Sequence, residues 1–91
     1  MFECKMSIYI IVYMTYEPDY INQKICLKIK MERTKRGWSQ DKLSELSNIS
    51  KNSIGLIERG VSTPSTKSLA KLANAFNITV SELTDISKVD L

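Results

Sequence analysis

The stretch WSQDKLSELSNISKNSIGLIERG, Trp38 to Gly60, decides how this chain folds. Ser39 and Ser50 each precede a short run whose apolar residues recur at helical spacing, and serine is among the preferred helix N-caps. Asn48 lies between the two runs, and asparagine tolerates the left-handed backbone conformation that a tight turn requires. The pattern therefore predicts two short helices joined by a turn, over residues 40–47 and 51–59.

Three further helices are predicted around this pair. Asp19 has the side chain of an N-cap for a first helix that runs to about residue 36, where Gly37 supplies a left-handed stop. The segment Thr63-Pro64-Ser65 opens a fourth helix that reaches Phe76. The capping box Thr79-Val80-Ser81-Glu82 starts a short fifth helix. Five helices with short connections indicate an all-α bundle.

Apolar residues at helical spacing predict the faces that these helices bury. The expected core consists of Ile21, Ile25, Cys26, Ile29, Leu43, Leu46, Ile54, Ile57, Leu69, Leu72, Ala73, Phe76 and Leu83, with Ile86 as a further candidate. Trp38 directly follows the Gly37 stop, and we expect it in the core rather than as a platform for a stacked base.

The residues before Pro18 follow a different pattern. The run MSIYIIVYMTY, Met6 to Tyr16, is rich in β-branched and aromatic residues and ends at Glu17-Pro18-Asp19, which predicts one β-strand. It is shorter than the roughly 20 apolar residues that span a bilayer, and its flank lacks the cleavage site of a secretory signal. Two interpretations stay open: the strand pairs with its copy in a dimer, or it is an upstream extension and translation begins at Met14.

Length and composition place these elements in one soluble protein. A chain of 91 residues seldom divides into two stable cores, and 43% hydrophobic with 25% charged residues is the balance of a globular chain. We therefore predict an N-terminal strand extension over residues 1–18 and one helical domain over residues 19–91.

The positive charge is concentrated in the middle of the chain. Between Ile21 and Lys67 there are ten basic and four acidic side chains, although the whole chain carries a formal charge of only +3. A local positive field attracts a polyanion whatever the distant ends carry. A solvated basic face without a partner is the alternative interpretation.

Several classes of chemistry are excluded by residue type. The chain has no histidine, which rules out histidine metal ligands and histidine-dependent catalytic triads. Cys4 and Cys26 are too few and too far apart for a CxxC metal site or a disulfide framework, so we interpret them as reduced thiols in a cytoplasmic protein. Neither a nucleophile with its base nor a metal cluster is visible, and we expect neither enzyme activity nor a cofactor.

Two short helices joined by a turn of about four residues have the dimensions of a DNA-binding helix-turn-helix. Over roughly residues 25–83 the chain resembles the Cro and phage-repressor family, also called the xenobiotic-response-element family. The residues that carry the resemblance are Gly37, Ser39-Gln40, Leu43, Ile49-Ser50, Ile54, Ile57-Glu58-Arg59-Gly60, Pro64-Ser65, Leu69, Leu72-Ala73 and Val80 to Leu83. The resemblance implies a lambda-repressor-like bundle that acts as a sequence-specific transcriptional regulator.

The resemblance also implies which residues meet the bases. The helix over residues 51–59 would be the recognition helix, with Lys51 and Asn52 at positions from which family members reach base edges. Lysine can donate to guanine O6 and N7, and asparagine can pair with adenine N6 and N7. Ser53 is a weaker candidate, and Leu56 could meet only a thymine methyl group. Gly55 costs about 1 kcal/mol of helix propensity relative to alanine, and close approach to a backbone is one possible reason for it.

Other residues match positions at which the family contacts phosphates or holds the recognition helix. The expected DNA backbone contacts are Gln40, Ser50, Arg59, Thr63, Thr66 and Lys67. Such contacts would position the protein without reading sequence, and Ser50, Thr63 and Ser65 have helix capping as an alternative role. Arg33 and Glu58 match a pair that forms a structural salt bridge in relatives.

The predicted partner is double-stranded DNA, bound by a homodimer on a pseudo-palindromic operator; neither a membrane nor a small-molecule ligand is expected. Repression by promoter occlusion is the predicted mode, and activation through contact with polymerase stays open. The alternative function is that of an antitoxin, which would neutralise a toxin through the strand over residues 6–16 while binding its own promoter.

Overall fold

Helices build the part of the chain that the computed structural model describes, residues 18–89. In order they are α1 (Pro18–Lys35), α2 (Gln40–Ser47), α3 (Lys51–Glu58), α4 (Thr66–Phe76) and α5 (Val80–Leu83), followed by a 3₁₀ turn (Ile86–Lys88). The all-α prediction is confirmed for the described residues. The β-strand predicted over residues 6–16 lies outside them, and Pro18, which we assigned to the extension, is the first residue of α1.

The helices start where their capping residues predict. Ser39 Oγ and Ser50 Oγ each accept a hydrogen bond from the backbone N–H three residues on, at 3.0 and 3.1 Å. At Thr79 the capping box is complete: its hydroxyl accepts from the Glu82 N–H, and the Glu82 carboxylate accepts from the Thr79 N–H, both at 3.0 Å. Each cap satisfies a backbone donor that the first turn of a helix leaves unpaired.

A left-handed residue lies at or just after the C-terminal end of each of the helices α1 to α4. Gly37, Asn48 and Gly60 have φ angles of 70°, 60° and 74°, which confirms the stops predicted there. Asn77 ends α4 in the same conformation, with φ of 59°, and its N–H donates to Asn74 O at 3.1 Å. Asparagine is suited to this conformation because its short polar side chain lowers the steric cost.

Two boundaries differ from the predicted ones, and a third is narrowed to one residue. Asp19 lies inside α1, after Pro18. Within the predicted opening segment Thr63-Pro64-Ser65, Ser65 caps α4, because its hydroxyl accepts from the Ser68 N–H at 3.0 Å. After Thr84 the chain forms a 3₁₀ turn instead of extending α5. The Asp85 carboxylate caps this turn, because it accepts from the backbone N–H of Ser87 at 3.2 Å.

The core lies where the helices converge, and most of it follows the predicted stripes. Its buried members are Cys26, Ile29, Leu43, Ile49, Ile54, Ile57, Leu72, Ala73, Phe76 and Leu83. Ile25, Trp38 and Leu69 are partly buried and pack against this cluster. Burial raises the pKa of the Cys26 thiol, which keeps the thiol protonated and matches its interpretation as a small core residue.

The prediction that Leu46 faces inward is wrong. Leu46 is 44% exposed, and Ser47 occupies the inward position one residue on. Leu43 and Ser47 are four residues apart on α2 and share its buried face. The Ser47 hydroxyl accepts from the Ile49 N–H at 3.3 Å, so a buried serine supplies the acceptor that the following turn needs.

A buried ionic network connects α1 to α5. Glu32 is 7% exposed and Lys28 is 5% exposed. Lys28 Nζ lies 3.0 Å from Glu32 Oε2 and donates to the carbonyl of Glu82 at 2.9 Å. Burial raises the pKa of Glu32, but hydrogen bonds from Arg36, Lys28 and Lys35 outweigh it and hold that pKa at about 2.

Arg36 extends the network to α4. Its Nη1 donates to Glu32 Oε1 at 2.7 Å, and its Nη2 donates to the carbonyl of Phe76 at 2.9 Å. The guanidinium carbon lies 4.9 Å from the Phe76 ring centroid and 5.7 Å from that of Trp38, within the range of cation–π attraction. The two rings stack with centroids 5.8 Å apart, which confirms Trp38 as part of the core packing.

Glu32 should govern the acid stability of the fold. Its pKa lies below the ordinary value of 4.5, so its stabilisation is complete above pH 4.5 and is lost as the pH falls toward 2. We expect Glu32→Gln to lower the free energy of unfolding by about 3 kcal/mol at neutral pH, because Lys28 and Arg36 lose a buried partner. Urea denaturation at a series of pH values measures this.

The exposed Glu45 provides the matched control for that experiment. Glu45→Gln should keep the wild-type stability at neutral pH and the wild-type loss of stability below pH 4.5. The Glu32→Gln variant should lose much less stability in the same pH window. Parallel pH profiles for wild type and Glu32→Gln would contradict the assignment of Glu32 as the titrating group.

Candidate nucleic-acid interface

The turn between α2 and α3 is fixed by two serine side chains of α2. Ser44 Oγ donates to the carbonyl of Ile49 at 2.6 Å, and Ser47 Oγ accepts from the Ile49 N–H at 3.3 Å. Ile49 is itself 9% exposed and anchors the turn in the core. Together with the left-handed Asn48, these contacts hold the two helices in one relative orientation.

The N-terminal end of α3 carries polar, exposed residues. Ile54 and Ile57 are buried against the core. Lys51 and Asn52, at the N-terminal end, are exposed, whereas Ser53 and Leu56 are half-buried. The helix therefore exposes the polar side chains of Lys51 and Asn52, whereas the weaker candidates, Ser53 and Leu56, are less accessible.

Four of the predicted contact residues meet in one shallow depression. Gln40, Lys51, Asn52 and Arg59 line it, and Gly55 forms part of its floor. A Cβ atom at Gly55 would meet only Gln40 Oε1, at the ordinary contact distance of 3.9 Å. The fold thus does not require glycine there, and the suggestion that a backbone approaches Gly55 closely stays a prediction.

A buried ion pair orients α3 relative to α1. Arg33 Nε lies 2.6 Å from Glu58 Oε2, and Arg33 Nη2 donates to Glu58 Oε1 at 2.9 Å, so the two groups meet in a bidentate arrangement. The side chains of Arg33 and Glu58 are 12% and 3% exposed. The hydrogen bonds that Arg33 donates to Glu58 raise the pKa of the Arg33 guanidinium. Arg33 Nη1 also donates to the carbonyl of Trp38 at 2.7 Å.

Gln40 joins this pair from α2. Its Nε2 donates to Glu58 Oε1 at 3.0 Å, so the residue expected at a phosphate has a partner within the protein. A primary amide has two N–H donors. The bond to Glu58 leaves one donor of Gln40 available in the depression.

The remaining predicted backbone contacts lie at two helix starts. Ser50 Oγ and Ser65 Oγ cap α3 and α4, which is the alternative role considered for both. Thr63, Thr66 and Lys67 are exposed around the start of α4. These three residues flank the Ser65 cap in the sequence. Gln40 and Lys51, in contrast, line the depression.

Some of the basic side chains that the sequence concentrates in this region form ion pairs within the protein. Lys28, Arg33 and Arg36 all pair with buried carboxylates. Lys51, Arg59 and Lys67 are exposed. A count of basic residues along the chain therefore overstates the charge available to a polyanion.

An acidic residue that we did not single out from the sequence also lies at this surface. Asp41, in the first turn of α2, has its Oδ1 3.4 Å from Lys51 Nζ. The two residues are ten positions apart on different helices. No local pattern indicates such a pair.

The Arg33–Glu58 pair should be essential for stability and replaceable only as a unit. Glu58→Ala alone should lower the free energy of unfolding by roughly 3 to 5 kcal/mol, because the Arg33 guanidinium stays largely buried without its partner. The double variant Arg33→Met, Glu58→Leu should recover most of this loss, since neither charge remains. Urea denaturation checks both; a loss under about 1 kcal/mol in Glu58→Ala would contradict a buried, coupled pair.

Comparison with known proteins agrees with this geometry. Residues 29–83 match the pattern that defines the helix-turn-helix family. A stretch of 50 residues, 55% of this chain, is 40% identical to the HTH-type transcriptional regulator SutR of Escherichia coli (strain K12). The chain spans 28% of the length of that relative.

No solved structure gives a significant match to the chain. Among residues 18–89, no helix has both the length and the apolar character needed to cross a membrane.

The family match covers α2, the turn and α3 together with the packing partners on α1 and α4. The chain therefore belongs to the helix-turn-helix family of DNA-binding proteins, of the Cro/C1 type.

Proposed function

We propose that this chain is a transcriptional regulator that recognises a specific DNA sequence by inserting α3 into the major groove. The observation that carries the proposal is the exposure of Lys51 and Asn52 at the start of α3, in one depression with Gln40 and Arg59. The related SutR protein is named a transcriptional regulator, which supports the same function for the shared segment.

The side chains of α3 suggest the bases that they read. Lys51 would donate to guanine O6 and N7, and Asn52 would pair with adenine N6 and N7. Leu56 would contact a thymine methyl group, and Ser53, whose hydroxyl accepts from Ser50 Oγ at 2.9 Å, would contribute less.

Phosphate contacts would set the register of α3 in the groove. The second N–H of Gln40 is available to a phosphate on one side of the depression, and Arg59 would bind on the other. Thr63, Thr66 and Lys67 would hold the adjacent backbone, with the N-terminal amides of α4 adding a favourable dipole. Ser50 would contribute mainly through the cap that shapes the start of α3.

The regulator would act as a two-fold dimer that represses by covering a promoter. One module of this size buries too little surface to select a site in a genome by itself. Two copies related by a dyad would place α3 in successive major grooves, about 34 to 36 Å apart.

Removal of the two base-reading side chains should abolish specificity while leaving a non-specific remnant. We expect the wild type to bind the duplex upstream of its own gene, or a duplex selected from a randomised library, far more tightly than a shuffled duplex. Lys51→Ala with Asn52→Ala should retain only sequence-independent, steeply salt-dependent binding. Fluorescence anisotropy across a salt series measures both affinities.

A matched control removes the same residue types from outside α2 and α3. Lys30→Ala with Asn74→Ala changes exposed residues of α1 and α4 and should preserve the preference for the selected duplex. Equal binding by wild type and the α3 double variant, or no preference for any duplex, would refute base reading. The chain would then be better explained as an antitoxin-type protein-interaction module.

Dimer formation is tested separately. Sedimentation equilibrium of the full chain at tens of micromolar, with and without operator duplex, should show two chains per operator. Insertion of five base pairs between half-sites should abolish this stoichiometry, because it rotates one half-site by about half a turn of the DNA. Only monomer under both conditions would contradict the dimer.

A further inference from the structure

An acidic side chain occupies the surface that would face DNA. The Lys51 ammonium lies 3.4 Å from Asp41 Oδ1 and 3.5 Å from Asp41 Oδ2. Both side chains are exposed, Lys51 at 59% and Asp41 at 73%. The contact connects the first turn of α2 to the first turn of α3 across the turn between them.

A helix-dipole effect does not account for this pair by itself. A carboxylate in the first turn of α2 is favourable because it lies near the positive end of that helix. This benefit does not depend on where the carboxylate points, and Asp41 points at the lysine that is expected to read a base. On DNA, neighbouring phosphates would repel Asp41 and so oppose this benefit. A role of its carboxylate toward Lys51 would explain its presence there.

The donor inventory of lysine suggests what that role is. An ammonium group carries three N–H donors and no acceptor. One donor directed at Asp41 leaves two, and guanine offers two acceptors in the major groove, O6 and N7. Lys51 can therefore hold Asp41 and a guanine at the same time, and Asp41 restricts the rotamers that a long, exposed lysine would otherwise sample.

The same pair behaves differently toward the DNA backbone. A free lysine is attracted to any phosphate, which raises affinity for every sequence. The Asp41 carboxylate lies 3.4 Å from the Lys51 ammonium, which is well within the Debye length of about 8 Å at physiological salt. At a phosphate, the attraction of the ammonium and the repulsion of the carboxylate therefore largely cancel. The pair thus contributes little to binding of random DNA.

We propose that Asp41 is a specificity-determining residue of the DNA-binding surface: its carboxylate directs the Lys51 ammonium toward base edges and cancels its attraction for phosphate. This rests on the proposed function, because it requires α3 to lie in the major groove. Asp41 acts through Lys51, so the effect of Asp41 on specificity should disappear when Lys51 is removed.

The test compares Asp41→Asn with wild type on two duplexes of equal length. One is the operator that the wild type selects from a randomised library, and the other is its shuffled sequence. In the variant, affinity for the shuffled duplex should rise about two- to fivefold, with a salt slope steeper by about 0.9. Affinity for the operator should not rise, so the ratio of operator to shuffled affinity should fall by at least the same factor.

Glu45→Gln is the matched control on the same helix. It raises the net charge by one, as Asp41→Asn does, but the Glu45 carboxylate lies 3.9 Å from Lys42. Its affinity ratio should equal that of the wild type. Asp41→Asn should also leave the ratio unchanged when it is made in a Lys51→Met background, and thermal unfolding shows whether each variant is folded.

Three results would overturn the proposal. Equal ratios for Asp41→Asn and Glu45→Gln would reduce the role of Asp41 to net charge. A lower ratio for Asp41→Asn that persists in the Lys51→Met background would mean that Asp41 contacts a base itself. Failure of library selection to enrich any sequence would refute the proposed function and this inference with it, whereas the first two results leave the proposed function intact.

Discussion

The orientation of α3 depends on one interaction, the hydrogen-bonded ion pair that the buried carboxylate of Glu58 forms with Arg33. A carboxylate that is 3% exposed is costly unless its oxygens have charged or polar partners, and here Arg33 and Gln40 supply them. These partners come from α1 and α2, whereas Glu58 ends α3. Because Arg33, Gln40 and Glu58 must meet in one geometry, their contacts fix the direction in which α3 projects.

This constraint matters because α3 cannot hold its own shape. The helix has eight residues and contains Gly55, and helices of this length are marginal in water. Burial of Ile54 and Ile57 secures one face of the helix, but apolar contacts alone are not directional. The hydrogen bonds to Glu58, together with the serine contacts in the turn, provide the direction.

Among residues 18–89, some basic side chains stabilise the fold and others are exposed to solvent. Lys28 and Arg36 anchor α1 to α5 and α4 around the buried Glu32. Lys51 and Lys67 are exposed. Salt screens the exposed charges far more than the buried ones, so ionic strength can change the attraction for a polyanion while the fold is maintained.

The sequence by itself determined the features that depend on residues within about one helical turn. Serine caps, left-handed stops at Gly37 and Asn48, and most of the core stripes were predictable because a cap or a stop acts on backbone groups three or four residues away. Within the predicted segment Thr63-Pro64-Ser65, the sequence could not say which residue caps α4, because Thr63 and Ser65 are competing caps within a single turn. The family resemblance pointed to the residues of α3 and to the Arg33–Glu58 pair. It did not indicate that Gln40 contacts Glu58 or that Asp41 contacts Lys51.

Apart from the Arg33–Glu58 pair, only the tertiary structure decided which polar groups from different helices meet. Gln40 reaches Glu58 from 18 positions away, Arg36 reaches Phe76 from 40, and Lys28 reaches Glu82 from 54. Periodicity also could not place Leu46 outside and Ser47 inside, because the spacing identifies a stripe without saying which neighbour covers it. Partners distant in the chain are brought together by packing, and packing is a property of all the helices at once.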